Sequence, residues 1–119
     1  MAKTFRDFVA DALTRVQEAG PEQVLDRLRQ PGVVLLDVRE REEFQTGHLP
    51  GAILIPRGVL EGQAPQMLRD AGAEIIAYCG SGMRSALAAD VLQQMGYRSV
   101  RSLAGGFRAW TEMGGPVER

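Results

Sequence analysis

The sequence predicts a single α/β domain built on a mostly parallel β-sheet. Helical and strand patterns alternate along the 119 residues, which is the order expected when helices connect parallel strands. Two short runs, 33–36 and 52–55, contain only apolar residues, as is typical of strands buried on both faces. A chain of this length fits one compact domain.

The N-terminal segment predicts an amphipathic helix over residues 1–14, ahead of a domain over residues 15–119. Thr4 and Asp7 have the spacing of a capping pair that opens a helix. The apolar residues of this segment form one stripe at helical spacing: Phe5, Phe8, Val9, Ala12 and Leu13. We expect the stripe to cover the core of the domain, with a dimer or docking surface as the alternative.

The next elements follow from apolar periodicity and from glycine and proline breaks. A short edge strand beginning at Val16 is expected before a helix over 21–29. The apolar strand at 33–36 leads into a short helix over 40–46, for which Gly47 provides the stop.

Proline and glycine also delimit the second half of the chain. Pro65 is expected to open a short helix that closes near Gly72. The remaining predicted elements are strands over 74–78 and 99–103, a helix ended by Gly96, and a final helix that contains Trp110.

Composition and charge exclude several classes of function. The chain has 14 Lys and Arg residues against 15 Asp and Glu, a net charge of -1, which gives no support for nucleic-acid binding. No stretch approaches the roughly 20 apolar residues that span a bilayer, and the first residues lack the apolar run of a signal peptide. The single cysteine excludes an internal disulfide and a multi-cysteine metal site. We therefore expect a cytoplasmic protein with a reduced thiol, no metal, no cofactor, and neither a nucleic acid nor a membrane as partner.

Segment 78–85, with the sequence YCGSGMRS, contains that cysteine, Cys79, between a predicted buried strand and a predicted helix. In open parallel sheets, ligands bind beyond the carboxyl ends of the strands, which is where this cysteine falls. Glycines let such a loop curl so that backbone N–H groups converge, and the following helix adds the positive end of its dipole. We expect these groups to stabilise an anionic sulfur without a neighbouring base.

Cys79 also has a purely structural interpretation, since free cysteines are often buried as small apolar residues. The adjacent Gly80, Gly82 and Arg84 favour a nucleophile instead. The other side chains of the loop are expected to pack, in the case of Tyr78 and Met83, or to hydrogen-bond and cap the helix, in the case of Ser81 and Ser85.

Four segments resemble the rhodanese family, in the family's order along residues 33–117. They are LDVR at 36–39 with Glu43 and Phe44, GHLPGA at 47–52 with IP at 55–56, Cys79-x-x-Gly82-x-Arg84, and LxGGFxAW at 103–110 with GPV at 115–117. The resemblance implies a five-stranded parallel sheet with helices on both faces. It also implies transfer of sulfane sulfur, commonly from thiosulfate, to cyanide or a thiol.

The resemblance further implies roles for the residues of the loop. Cys79 becomes the persulfide carrier, and the Arg84 side chain becomes the best candidate for meeting the anionic sulfonate of the donor. The substrate-binding cradle that it implies consists of Gly80, Ser81, Gly82, Met83, Arg84 and Ser85. The expected partners are a small-molecule sulfur donor and a thiol acceptor, with a protein as a further candidate acceptor.

Other residues that match family positions are interpreted as supporting ones. Asp37 is expected to anchor nearby backbone or Arg39, and His48 is expected to order the turn at 47–52. The arginines held as candidates for docking the acceptor are Arg41, Arg57 and Arg108.

Two other functions stay open. A rhodanese-like binding module without catalysis is the stronger of them, although inactive relatives typically lack the cysteine that this chain has. Cysteine phosphatases and arsenate reductases resemble Cys-x5-Arg, whereas only four residues separate Cys79 from Arg84, and Ser85 stands where those enzymes have their arginine. The shorter loop favours a single sulfur atom over a phosphate group.

Overall fold

The computed structural model describes all 119 residues and confirms the α/β class. Five strands form one all-parallel sheet in the order β1-β5-β4-β2-β3. The strands are β1 (Gln17–Ala19), β2 (Val33–Asp37), β3 (Ile53–Leu54), β4 (Glu74–Tyr78) and β5 (Ser99–Leu103).

Six α-helices accompany the sheet, and a 3-10 turn over Arg57–Val59 precedes the fourth. They are α1 (Phe5–Leu13), α2 (Pro21–Arg27), α3 (Arg41–Thr46), α4 (Leu60–Met67), α5 (Met83–Gln94) and α6 (Gly106–Glu112). None of these helices has the length and apolar character needed to cross a bilayer.

Apolar side chains bury the sheet on both faces. A larger cluster packs against α4 and α5, and a smaller cluster packs against α2 and α6. Successive residues of a strand point to opposite faces, so Tyr78 joins the smaller cluster and Cys79 the larger one. The end of β4 therefore directs the cysteine toward the side of the sheet that α5 covers.

The N-terminal helix buries fewer residues than its apolar stripe predicts. Val9 and Ala12 are buried, and α1 contacts α5. Phe5 and Phe8 are half exposed, at 50% and 53%, so the expectation that they cover the core is wrong. A nine-residue helix that meets one other helix buries only the residues on its contact line. The boundary drawn after residue 14 stays a prediction.

The helix expected to begin at Pro65 begins earlier. Pro65 lies inside α4, which ends at Met67 rather than near Gly72, so both predicted ends are wrong. The 3-10 turn over Arg57–Val59 leads the chain into the helix before the proline is reached. Inside the helix the proline removes one backbone hydrogen bond, to the carbonyl of Glu61.

Candidate active site

The loop after β4 holds Cys79 at the carboxyl end of the sheet, directly before α5. Its curvature depends on Gly82, which has a φ of 97° in the left-handed region that favours glycine. A Cβ at this position would also lie 3.2 Å from the backbone nitrogen of Gly105. The glycine predicted in the cradle therefore serves both the turn and a close backbone contact.

The sulfur of Cys79 is surrounded by polar groups although the residue is only 1% exposed. The backbone N–H of Gly82 donates to Sγ at 3.1 Å, and the N–H of Ser85 donates at 3.4 Å. The thiol in turn donates to Ser85 Oγ, 3.5 Å away. Two main-chain amides thus point at the sulfur, as a cradle for an anion requires.

Further amides of the same loop have no acceptor within the protein. The N–H groups in question belong to Gly80, Ser81, Met83 and Arg84. Ser81 is exposed at the tip of the loop, and Met83 is partly buried at the start of α5. These N–H groups are therefore available to an acceptor atom outside the protein.

The start of α6 holds the cysteine loop in place through backbone hydrogen bonds, which the sequence did not predict. The N–H of Phe107 donates to the carbonyl oxygen of Cys79 at 2.7 Å, and that of Arg108 donates to the carbonyl of Gly80 at 3.0 Å. A Cβ at Gly106 would collide with the Cys79 carbonyl oxygen. The doublet Gly105-Gly106 ahead of a helix was the sequence signal for this close approach.

Ser102 is a second residue that the sequence analysis missed. Its Oγ lies 2.8 Å from Ser85 Oγ, and both residues are fully buried. Ser102 sits near the end of β5, where it pairs with Ala77 of β4, two residues before Cys79. The available sequence signal was a serine at the carboxyl end of a predicted strand, because a hydroxyl that is buried there needs a hydrogen-bond partner.

Arg84 lies at the rim of the loop and is held by a carboxylate. Its Nη1 and Nη2 donate to Glu43 Oε1 and Oε2 at 2.9 and 3.1 Å, a bidentate fork with both side chains about one-third exposed. The Arg84 hydrogen bonds lower the pKa of Glu43 to about 2, and the same contact raises the pKa of Arg84. The sequence did not predict that Glu43 belongs to this site, although Glu43 is part of the segment at 36–44 that resembles the family.

Asp37 and Arg39 form a separate, buried pair on the other face of the sheet. Asp37 accepts from the Arg39 backbone N–H at 2.9 Å, and its two carboxylate oxygens accept from Nε and Nη2 at 2.8 to 3.1 Å. The guanidinium also donates to the Gly47 carbonyl at 2.7 Å and lies 4.3 Å from the centre of the Phe107 ring. Neither side chain hydrogen-bonds Cys79.

His48 lies in the turn after α3, away from the sulfur. Its ring stacks on Phe44 with centroids 3.9 Å apart, and its Nδ1 is 2.9 Å from the Leu49 carbonyl oxygen. The backbone of His48 bridges to Glu118 in both directions at 2.9 Å. The backbone N–H of Leu49 donates to the Tyr78 hydroxyl at 3.1 Å, and burial raises the pKa of that phenol.

The three arginines considered for acceptor docking occupy different settings. Arg41 is exposed on α3, and Arg108 is 82% exposed and lies 3.4 Å from Glu112. Arg57 pairs with Glu61 at 3.0 Å, and its Nε is buried with no hydrogen-bond partner.

The one sizeable cavity lies away from Cys79. It measures about 420 Å³ at the amino-terminal ends of β4 and β5, and its lining includes Arg15, Glu74, Arg98 and Arg101. Its position does not coincide with the Cys79 sulfur, so we assign it no part in the site around Cys79. No group of three or more His, Cys, Asp or Glu side chains is arranged to hold a metal ion.

Comparisons with known proteins agree with this geometry. A family model described as the rhodanese-like domain matches residues 20–113. A protein of Raphanus sativus named senescence-associated protein DIN1 is 38% identical over 119 residues, which cover 92% of this chain and 65% of that protein. This chain therefore spans slightly less than two thirds of that relative.

Two further comparisons cover nearly the whole of both partners. A sulfurtransferase of Allochromatium vinosum is 33% identical over 103 residues, with 86% of this chain and 94% of that protein covered. A protein of unknown function from Rhodopseudomonas palustris, described as a possible tyrosine phosphatase, superposes with a TM-score of 0.91 at 29% identity, covering 99% and 96% of the two chains. The present chain belongs to the rhodanese-like domain family, and several of its relatives at 32–34% identity are named sulfurtransferases.

Proposed function

We propose that this protein is a sulfurtransferase in which Cys79 carries sulfane sulfur as a persulfide. The observation that carries the proposal is the pair of backbone N–H groups, from Gly82 and Ser85, that donate to the Cys79 sulfur. Main-chain amides fixed by a turn stabilise negative charge without being titrated themselves. They suit the Cys79 thiolate, which is the state in which the carrier receives its sulfur.

The reaction has two steps joined by a covalent intermediate. The Cys79 thiolate attacks the outer sulfur of thiosulfate, the S–S bond breaks, and sulfite leaves with the bonding electron pair. A persulfide donor reacts in the same way and releases its thiolate. An acceptor thiolate or cyanide then attacks the terminal sulfur of the Cys79 persulfide and regenerates the Cys79 thiolate.

The free amides of the loop have a specific part in this cycle. Adding one sulfur to Cys79 moves the negative charge outward, beyond the reach of the two amides that hold Sγ. The N–H groups of Gly80, Ser81, Met83 and Arg84, which have no acceptor within the protein, provide donors for that outer position. The N–H groups of Phe107 and Arg108, which donate to the carbonyl oxygens of the loop, hold the loop in the conformation that leaves these amides free.

The direct test combines enzymatic assay with intact mass measurement. The wild-type protein is expected to gain one sulfur on treatment with thiosulfate or glutathione persulfide, and to lose it to cyanide or a thiol. Cys79→Ser is expected to show neither the gain nor transfer above background, because it retains the loop but lacks the nucleophile. Transfer at the wild-type rate by Cys79→Ser would refute the proposal, and a wild-type protein that gains no sulfur from any donor would favour a binding module.

A second candidate is phosphate-ester hydrolysis, favoured by the description of the Rhodopseudomonas palustris neighbour. Against it, the ring from Cys79 to Arg84 is one residue shorter than Cys-x5-Arg, and the cysteine is only 1% exposed. A tetrahedral phosphate needs more room than one added sulfur atom. Efficient turnover of an aryl phosphate, lost in Cys79→Ser, would replace the sulfurtransferase proposal with this one.

The proposal includes the setting in which the reaction takes place. The donor is a small molecule, the acceptor is a thiol carried by a small molecule or a protein, and the reaction occurs in the cytoplasm. A metal or an organic cofactor has no step in it.

A further inference from the structure

The arginine expected to receive the anionic part of the donor already has an anionic partner. The Arg84–Glu43 fork places a carboxylate against the one guanidinium that belongs to the cysteine loop. The guanidinium lies over the loop itself, since a Cβ at Gly80 would be 3.3 Å from Arg84 Nη2. The carboxylate therefore sits at the mouth of the sulfur site rather than at a remote surface.

Two independent anchors hold Glu43 in this position. Besides the two contacts with Arg84, Glu43 Oε1 accepts from the backbone N–H of Glu40 at 3.0 Å, as the third residue of α3. A carboxylate in the first turn of a helix is favoured by the helix dipole. Arg84 stands in the first turn of α5, where a cation is disfavoured, so a nearby carboxylate also offsets that effect.

We infer that Glu43 is a specificity-determining residue that sets the donor preference of the site. By occupying Arg84, it disfavours a compact dianion such as thiosulfate relative to the persulfide of an organic thiol. This inference rests on the proposed sulfur-transfer function and adds the class of donor to it.

The difference between the two donors lies in where their charge falls. In thiosulfate, the sulfonate group is bonded directly to the sulfane sulfur, so the donor must bring its second charge to the rim where Glu43 stands. In an organic persulfide, the sulfane sulfur is bonded instead to an uncharged thioether-like sulfur that carries the carbon chain, and any further charges lie several bonds away. The Glu43 carboxylate and the sulfonate of thiosulfate are like charges, and placing them together at the site is strongly unfavourable. An organic persulfide brings no such charge to the rim, so the pairing of Arg84 with Glu43 affects its binding little.

Both donors transfer sulfur by the same kind of balanced step, and Glu43 acts on the binding of the donor rather than on that step. In each case a new S–S bond forms to Cys79, the old bond of the sulfane sulfur breaks, and the leaving group departs with the electron pair as sulfite or as a thiolate. Glu43 takes no proton in this step, because its pKa of about 2 keeps it ionised at ordinary pH. The effect of Glu43 on the ratio of the two donors' KM values is accordingly expected to stay constant between about pH 5.5 and 8.

The test compares Glu43→Gln with Glu42→Gln for both donors. Glutamine can still accept from the Glu40 N–H, so the start of α3 is retained while the charge is removed. Glu42 is exposed on the same helix and makes no ion pair, so its variant removes an equal charge without freeing Arg84. Steady-state KM and kcat are measured with thiosulfate and with glutathione persulfide.

For Glu43→Gln, we expect the KM for thiosulfate to fall about tenfold while the KM for glutathione persulfide changes little. Glu42→Gln is expected to match the wild type with both donors. An unchanged or higher thiosulfate KM in Glu43→Gln, or an equal fall for both donors, would overturn the inference. If no donor places sulfur on Cys79 in the wild type, the proposed function fails instead, so the two failures are distinguishable.

Ionic strength provides a second readout that needs no variant. With Arg84 neutralised by Glu43, the thiosulfate KM of the wild type is expected to vary little between about 0.05 and 0.5 M NaCl. In Glu43→Gln the same KM is expected to rise with salt, because the freed guanidinium then attracts the dianion. A steep rise in the wild type would contradict the inference even if the variant did not fold.

Discussion

The molecule contains two forked arginine–carboxylate pairs with nearly the same geometry and opposite settings. Asp37 and Arg39 are fully buried, whereas Glu43 and Arg84 are each about one-third exposed. The buried pair is tied to its surroundings by the Gly47 carbonyl and the Phe107 ring, and the rim pair leaves most of the guanidinium donors free. The difference in burial indicates different roles: the buried Asp37–Arg39 pair supports the fold, whereas the exposed Glu43–Arg84 pair is accessible to a ligand.

Solvent explains why these similar contacts differ in energy. A charge at the rim regains water when its partner is removed, so an exposed pair contributes about 0 to 1 kcal/mol. A charge in the interior has no such replacement, and removal of one partner typically destabilises a protein by about 3–5 kcal/mol. For Arg39, burial opposes the charged form, but the hydrogen bonds to Asp37 and the negative charge of that carboxylate together raise the pKa of the guanidinium.

The largest effect is expected for Asp37→Ala. This change leaves the Arg39 guanidinium buried without its carboxylate, and we expect the free energy of unfolding to fall by about 3–5 kcal/mol. Denaturant unfolding measures the loss. The double variant Asp37→Ala, Arg39→Met is expected to recover part of it, and a single-variant loss below about 1 kcal/mol would contradict the contrast drawn between the two pairs.

A smaller, pH-dependent effect is expected for the stability of Glu43→Gln. Near neutral pH the variant is expected to lose less than about 1 kcal/mol, because both partners are partly exposed and screened by solvent. Folding lowers the pKa of Glu43 from 4.5 to about 2, so its contribution is complete above 4.5 and disappears as the pH falls toward 2. Unfolding curves of the two proteins should therefore converge in acid, and a difference that persists at pH 2 would show another origin.

The elements closest to the cysteine were the most predictable part of the chain. The strand, the glycine-containing loop and the helix around Cys79 follow from local patterns, because an apolar run, turn residues and helical spacing each act over a few residues. The five-stranded sheet came from the family resemblance, and the structure agrees with it. Pro65 shows the limit of local signals, since the packing of α4 outweighed the preference of proline for a helix start.

The missed site residues all come from other elements. Glu43 and Arg84 are 41 positions apart and meet because β2 and β4 are neighbours in the sheet. Ser102 reaches Ser85 for the same reason, because β5 lies on the other side of β4. Sequence patterns predict that strands exist but not the order in which they pair, so contacts between loops at the carboxyl end of the sheet stay hidden until that order is known.

The central claim is that backbone amides of the cysteine loop hold the sulfur anion, and amide NMR spectra test it most directly. Spectra of the reduced protein and of the protein carrying one added sulfur, verified by mass, are compared with the amide of Gly51 as a control, since that amide donates to Glu118 at 3.0 Å. We expect large shifts confined to the amides of residues 80–85, including those of Gly82 and Ser85, with Gly51 unchanged. Loop amides that do not respond to an added sulfur on Cys79 would contradict the account.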